Sequence, residues 1–472
     1  MKNYFTTNDY LIVIGYFVIM TIIGLRTKSA EGSVKDYIIA GRTLTLPAFV
    51  ATLVSTFYGG ILGIGEFTFN FGISGWLLYA FPFYFFILIF AFFLSGKIRK
   101  AHLYTIPDKL DLVYGKKVSI FGGILVFLLS TPAPYLFMMG IIMKYIFGVR
   151  LSVSMIIVLV FSVIILIRGG LNADVRVNIF EFIAMFVGFG IILPFCFNTL
   201  GGFEYLELRL PENYLTLTGD LSLQYFMVWF FIGAWVLVDP AFHQRCYAAK
   251  SKKTPKRGIL ISLFFWIVFD FMTTTAGLYS KAYFIKGNVK PLYSFPSLAN
   301  EILPPVAKGI FYLGIIATIM STLHSYIFVS STTFGRDIVA RFRNETESSK
   351  LYNRTGLAVS AFFSFLIAYA IPSVINIWYA VGTIIIPALL ISIISAYFEK
   401  LQIHSKYIFA SMTVSFLTSL ILLVFGIYFG SSEKPALFLG LEPMYPGMVL
   451  GLGIYLYGYS RRKYLKTESD YQ

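Results

Sequence analysis

Charge is scarce in this 472-residue chain: Asp, Glu, Lys and Arg together make up 13% of it, about half the share of a soluble globular protein. That shortage excludes a string of soluble domains, for which the length would leave room. Cysteine is nearly absent. Cys196 and Cys246 are the two in the sequence, and the span reading below puts them at opposite membrane faces, so no disulfide framework follows. Histidine is sparse too: His102, His243, His324 and His404 fall in different segments, and no His and Asp gather at one membrane face as a polytopic enzyme would need. What is abundant is apolar and small. Hydrophobic residues reach 57%, with 49 Phe, 32 Tyr and 39 Gly, residues suited to lipid faces, membrane interfaces and close helix packing. The net charge of +15 is carried in short islands between apolar runs. No basic stripe interleaved with aromatics occurs, which sets nucleic acid aside as a partner. The composition is that of a polytopic membrane protein.

Thirteen stretches are long enough to cross a hydrocarbon core of roughly 30 Å: 9–25, 45–64, 75–96, 118–147, 151–168, 177–200, 222–243, 258–282, 308–335, 355–372, 374–398, 405–429 and 444–460. Alternating runs of short β-type segments are missing, and the backbone must satisfy its own hydrogen bonds in lipid, so the spans are expected to be helices. Every second connection is basic. Arg26, Lys28, Lys35 and Arg42 fall in the first; Lys97, Arg99, Lys100, Lys109, Lys116 and Lys117 in the third; Arg168 and Arg176 in the fifth. The set continues with Arg245, Lys250, Lys252, Lys253, Lys256 and Arg257, then Arg336, Arg341, Arg343, Lys350 and Arg354. Lys400, Lys406, Arg461, Arg462, Lys463 and Lys466 complete it, 29 of the 38 basic residues. The positive-inside rule places that side in the cytoplasm, with the N-terminus outside and the C-terminus inside a cell membrane. The start, with one Lys and no small-residue cleavage site, does not read as a cleavable signal.

Polar residues deep in such a bundle call for a reason. Midway along the ninth span, Thr318, Ser321, Thr322 and Ser325 follow the i, i+3, i+4, i+7 spacing of one helical face. Converging hydroxyl and carbonyl oxygens suit a hard cation. The same residues equally suit hydroxyls bonded to their own i−4 carbonyls, or a close helix contact. The second span offers a partner: Ser55, Thr56, Phe57 and Tyr58 run into Gly59, Gly60, Gly63 and Gly65. Glycine weakens a helix, and an unwound segment at that depth survives where it lines a cavity with its freed carbonyls. A glycine-lined packing groove is the plainer alternative. Asp270, followed by Thr273, Thr274 and Thr275, sits near the centre of the eighth span, a candidate for a proton or a second ion, or a packed protonated acid. Asp239 and Glu181 are expected nearer the cytoplasmic ends of their spans.

These residues resemble the sodium:solute symporters, a family that includes sugar, proline, pantothenate and sialic acid carriers. Asp36-Tyr37-Ile38-Ile39-Ala40-Gly41-Arg42 is similar to the family's D-Y-F/I-x-A-G-R. Gly169-Gly170-Leu171-Asn172-Ala173 opens the sixth span, and Gln244-Arg245-Cys246-Tyr247-Ala248-Ala249-Lys250 resembles Q-R-x-x-A-A-K. Met320-Ser321-Thr322 lies in the ninth span, which closes with Arg336-Asp337-Ile338. The resemblance implies an all-α, LeuT-like fold of about 13 transmembrane helices in one transport domain. Its two five-helix inverted repeats would cover 45–200 and 222–398, with 9–25, 405–429 and 444–460 peripheral. The first helix of each repeat should be broken; in the second repeat Gly233 alone supports that.

The family's main sodium site, carried over, implies the carbonyls of Ser55 and Tyr58 together with Thr318, Ser321 and Thr322. Solute is implied between the breaks of spans 2 and 7 and span 11, near Phe57, Trp235 and Trp378. The sequence also departs from the pattern. Asn178 stands where an Asp is common, His324 follows the hydroxyl pair, and Leu62 aligns near the Gln that holds sugar hydroxyls in the sugar carriers. A hexose is therefore disfavoured. The expected activity is sodium-driven symport of a small organic solute through a lipid bilayer, with sodium as the coupling ion and no enzymatic chemistry. Proton coupling through His324 or Asp270 is the alternative, since His titrates in the physiological range. A membrane sensor is a third reading, disfavoured because no kinase-sized extension follows residue 472.

Overall fold

The structure is a computed structural model that describes residues 5–27, 34–345, 350–431 and 435–462. Lys28, Lys463 and Lys466, and the side chains of Arg168 and Lys350, all counted above among the basic connections, lie outside the described residues.

Every stretch expected to span carries a helix. We label them in chain order α1 (Thr7–Arg26), α2a (Leu46–Phe57), α2b (Ile61–Phe71), α3 (Ser74–Ala101), α4 (Lys116–Phe147), α5 (Leu151–Ile167), α6 (Gly169–Leu200) and α7 (Leu223–Ala248). They continue as α8 (Thr254–Tyr283), α9 (Ala307–Ala340), α10 (Arg354–Ala370), α11 (Val374–Tyr397), α12 (Ser405–Phe429) and α13 (Met444–Ser460). Among the described residues, nine helices are long and apolar enough to cross a membrane, and α2a with α2b makes up to ten. The count of thirteen goes beyond this: α5 and α10 are apolar but shorter than the rest, and α13 has 17 residues.

Contacts between connections sort the helix ends into two sets. The chain after α1 bonds the chain after α7 through Leu44 N to Ala248 O at 3.1 Å and Lys250 N to Leu44 O at 2.8 Å. Arg99, ending α3, donates to Ala249 O at 2.7 Å, and Thr105 donates to Asp337 at the end of α9 at 2.9 Å. This is the basic end. At the other, Tyr279 donates to Gly201 O at 2.7 Å, and Asp9 accepts from the N–H groups of Val306 and Gly309, each at 2.9 Å. Helices that run between the two ends satisfy their backbone internally, as a bilayer demands. Their outer faces keep large apolar side chains such as Phe271 and Phe93 exposed.

Three of the motif segments meet at the basic end. Gln244 donates to Ile38 O at 3.0 Å, and Asn172 to Asp36 O at 3.4 Å. Arg336 pairs with Asp108 at 2.8 Å, where Asp108 lies in the short helix Ile106–Tyr114. Gly170, at φ +54°, lets the α5–α6 junction pass Tyr37, whose carbonyl a Cβ would meet at 2.5 Å. The core between the ends is dominated by α9, buried almost throughout. Gly188 and Gly314 bring α6 and α9 together backbone to backbone: a Cβ on Gly188 would lie 2.6 Å from Gly314 Cα. That is how small residues serve helix packing in lipid.

Candidate ion and solute site

The second span is broken where its glycines fall. α2a ends at Phe57, α2b begins at Ile61, and the two are bent by 55°. Gly59 and Gly60 are needed for close approach rather than for unusual backbone angles. A Cβ on Gly59 would lie 2.0 Å from Thr322 Oγ1, and one on Gly60 would lie 2.1 Å from Trp378 Cη2. With no side chains there, α9 and α11 press directly on the break.

That approach brings together oxygens from both segments. Ser321 Oγ donates to Ser55 O at 2.7 Å, and Thr322 Oγ1 to Thr56 O at 2.5 Å, all among fully buried groups. Thr322 Oγ1 also reaches Ser55 O at 3.4 Å; the Thr56 carbonyl is one that the family pattern did not imply. Thr318 turns back on its own helix, donating to Gly314 O at 2.6 Å, as hydroxyls in membrane helices often do. Ser55, Ser321 and Thr322 are thus in mutual contact, with Thr318 one turn away.

Directly against this cluster lies a charged layer the sequence reading missed. Arg245, fully buried, extends Nη2 to Asp174 Oδ2 at 3.2 Å, Thr56 Oγ1 at 2.7 Å, Thr52 Oγ1 at 3.0 Å and Ser325 Oγ at 3.0 Å. Asn178 Nδ2 adds bonds to Thr52 Oγ1 at 2.8 Å and Asp174 Oδ2 at 3.2 Å. A carboxylate thus lies one turn before Asn178. Asp174 carries a guanidinium partner, which meets the cost of burying its charge. The signal was present in the sequence as an Asp four residues before Asn178, but only the packing of α6 on α7 shows its partner.

The seventh span is interrupted directly after Gly233 and again further on. Helix Leu223–Gly233 gives way at Ala234, and a further break falls at Asp239, in extended conformation between Trp235–Val238 and Pro240–Ala248. Asp239 was expected nearer water, yet it is fully buried. Its Oδ1 caps the following helix, accepting from Ala241 N at 2.7 Å and Phe242 N at 3.1 Å, while Tyr326 donates to Oδ2 at 2.5 Å. A carboxylate at an N-cap satisfies N–H groups the helix leaves free.

Between the breaks lies a cavity of about 820 Å³, mouth included. Phe57, Trp235 and Trp378, the three residues implied for solute, all line it. So do Trp229, Trp266 and a set of tyrosines, so that four of the chain's five Trp face one space. Asp270 lines it as well, 3% exposed, its two oxygens accepting from the hydroxyls of Tyr58 and Tyr84. Tyr58 thus enters the cavity through its side chain. His324 stands apart from all of this. It is fully buried, its ring 6.4 Å from that of Phe161, with no hydrogen-bond partner at either nitrogen among the described residues.

A model of the Sodium:solute symporter family matches residues 37–429. The chain belongs to that family. It is 23% identical over 427 residues to the rabbit (Oryctolagus cuniculus) Sodium/glucose cotransporter 1, covering 77% of this chain and 62% of the rabbit protein. It is likewise 23% identical to the Sodium/glucose cotransporter of Vibrio parahaemolyticus, over 76% of this chain and 74% of that protein. The matched region thus spans under two thirds of the rabbit relative's length. Among solved structures, that of a substrate-bound, outward-open Na+-coupled sialic acid symporter superposes with a TM-score of 0.78 at 14% identity, over 97% of this chain and 98% of the other. Mhp1, a nucleobase-cation-symport-1 family transporter, superposes at 0.61 with 13% identity, over 92% and 95%. These likenesses make the symporter-family fold LeuT-like.

Proposed function

We propose that the protein carries a small organic solute together with sodium across the cell membrane by alternating access. The observation that carries this reading is the contact of Ser321 and Thr322 with the carbonyls of Ser55 and Thr56 across the break of the second span. Those hydroxyls donate to the carbonyls. A sodium ion would take both sets of oxygens, with Thr318 and the Tyr58 carbonyl completing the cage by small rotations. Neutral oxygens suit a hard monovalent cation, which needs partial charges on several sides and no proton exchange. Discontinuous helices near the midplane are the usual frame for such a site.

Sodium would favour the outward-open arrangement by tying α2a to α9, which organises the adjacent cavity around Phe57, Trp235 and Trp378. Arg245 and Asp174 would close the route on the basic side, which we assign to the cytoplasm, with the N-terminus outside. Two inverted repeats, 45–200 and 222–398, are the proposed moving units; each opens with an interrupted span.

The test is uptake into proteoliposomes under an inward sodium gradient. Uptake is expected to vanish in the Ser321→Ala/Thr322→Ala variant, and unchanged uptake there removes the site. Proton coupling through Asp270 is the second reading, favoured by an acid buried at membrane depth without a basic partner among the described residues. Uptake that persists without sodium and collapses with a protonophore would select it.

A further inference from the structure

We propose that the transported solute is a small organic cation, an ammonium compound carrying a hydrogen-bond acceptor, whose charge is met by Asp270. This rests on the transport reading above and narrows its substrate.

Asp270 is the one charged side chain lining the cavity, and no Lys, Arg or His lines it. Among the described residues it has no ion-pair partner. An isolated carboxylate at membrane depth costs several kcal/mol. The hydroxyls of Tyr58 and Tyr84 donate to its two oxygens, and no cationic side chain stands beside it among the described residues, so a cationic solute is the partner that would hold the carboxylate ionised at this depth.

The walls decide which cation. Trp266, Trp378, Trp235 and Phe57 line the cavity, and aromatic rings can attract a weakly hydrated ammonium through their quadrupole. A hard ion such as sodium would give up its water for few oxygens there, whereas the Ser55–Thr322 cluster supplies them. Eighteen residues from several helices line the cavity, far more than a single ion would touch. An anionic solute would face Asp270 with no cation to hold it.

One further group sets the other half of the solute. The indole nitrogen of Trp235 is buried without a hydrogen-bond partner among the described residues, and the residue lines the cavity. An unpaired buried donor costs about 1–3 kcal/mol. A hydroxyl or carbonyl oxygen on the solute would satisfy it, as an amino alcohol does.

The experiment is ligand binding to the purified full-length protein, read as thermal stabilisation and by calorimetry, with sodium and with potassium. The probes are choline, ethanolamine, tetramethylammonium, glucose and lactate. With sodium, choline or ethanolamine is expected to bind, tetramethylammonium more weakly, and glucose and lactate not at all. Asp270→Asn is expected to weaken the ammonium probes at least about tenfold while keeping the stabilisation by sodium alone. Trp235→Phe, which keeps the ring and removes the donor, is expected to weaken choline severalfold and leave tetramethylammonium unchanged. This arm decides the matter if Asp270→Asn does not fold. Binding of glucose or lactate in preference, full ammonium affinity in Asp270→Asn, or no ammonium binding while sodium still stabilises the protein overturns the proposal and leaves symport standing. Absence of any stabilisation by sodium over potassium overturns the transport reading itself.

Discussion

Arg245 and Asp174 form a fully buried ion pair, Nη2 to Oδ2 at 3.2 Å, against the oxygens of the candidate sodium cage. Two ions taken out of water are costly unless each has the other. Arg245→Met or Asp174→Ala alone is expected to lower stability by about 3–5 kcal/mol, because the remaining charge has no counterpart. The double variant Arg245→Met/Asp174→Ala should lose less than the sum. Unfolding of the four proteins in one detergent, treated as a double-mutant cycle, measures this; strict additivity would deny the coupling.

Gly59 is in contact with α9 where a methyl group has no room, its Cβ position 2.0 Å from Thr322 Oγ1. Gly59→Ala is expected to cost about 1–3 kcal/mol by overpacking and to abolish sodium-dependent uptake. Gly96→Ala is the matched control, since nothing lies within 4 Å of its Cβ position. Equal effects at the two positions would contradict the close approach.

The hydroxyls of α9 are not equivalent. Ser321 reaches across to Ser55, while Thr318 is held by Gly314. Ser321→Ala is expected to raise the sodium concentration for half-maximal uptake about tenfold, roughly 1.4 kcal/mol. Thr318→Ala should raise it less than about threefold. The reverse order would make Thr318 the stronger of the two sodium ligands and overturn this ranking.

At the basic end, Asp108 accepts from Arg336 at 2.8 Å and from Arg341 at 2.7 Å. Burial by itself would raise its carboxyl, but the two guanidinium charges and their hydrogen bonds overcome this and hold it below the ordinary aspartate range. A depressed carboxyl contributes stability that is fully present above the unfolded-state value near 4 and is lost as pH falls through the folded one. Stability due to Asp108 is therefore expected to be flat from about pH 5 to 8 and to decline below about pH 4. Asp108→Asn should lower melting at neutral pH, by about 1.5–3 kcal/mol for a charged hydrogen bond, and flatten the acid decline. A melting temperature unchanged at pH 7 would remove the contribution.

Much of this was legible in the linear sequence. Apolar length located the helices, because a bilayer admits few other ways to satisfy a backbone. The glycine run 59–65 marked the broken span, and Ser321 with Thr322 marked the face that meets it, because close approach and hydroxyl spacing are local properties of a chain. The family resemblance singled out Phe57, Trp235 and Trp378, which line one cavity.

Other features depended on which helix lies beside which. The Thr56 carbonyl, which accepts from Thr322, was not singled out, since a backbone oxygen leaves no mark on residue identity and its direction is set by the bend. Arg245 read as one charge of a basic connection, yet it reaches Asp174, 71 positions away, because α7 folds its last helical piece under α2a. Asp270 was conspicuous for its depth, but its tyrosine partners come from the second-span break and from α3. A one-dimensional pattern fixes how each segment meets lipid and how its own residues share a face. Only the three-dimensional packing assigns partners to buried charges, because those partners are separated by whole helices and chosen by distance in space.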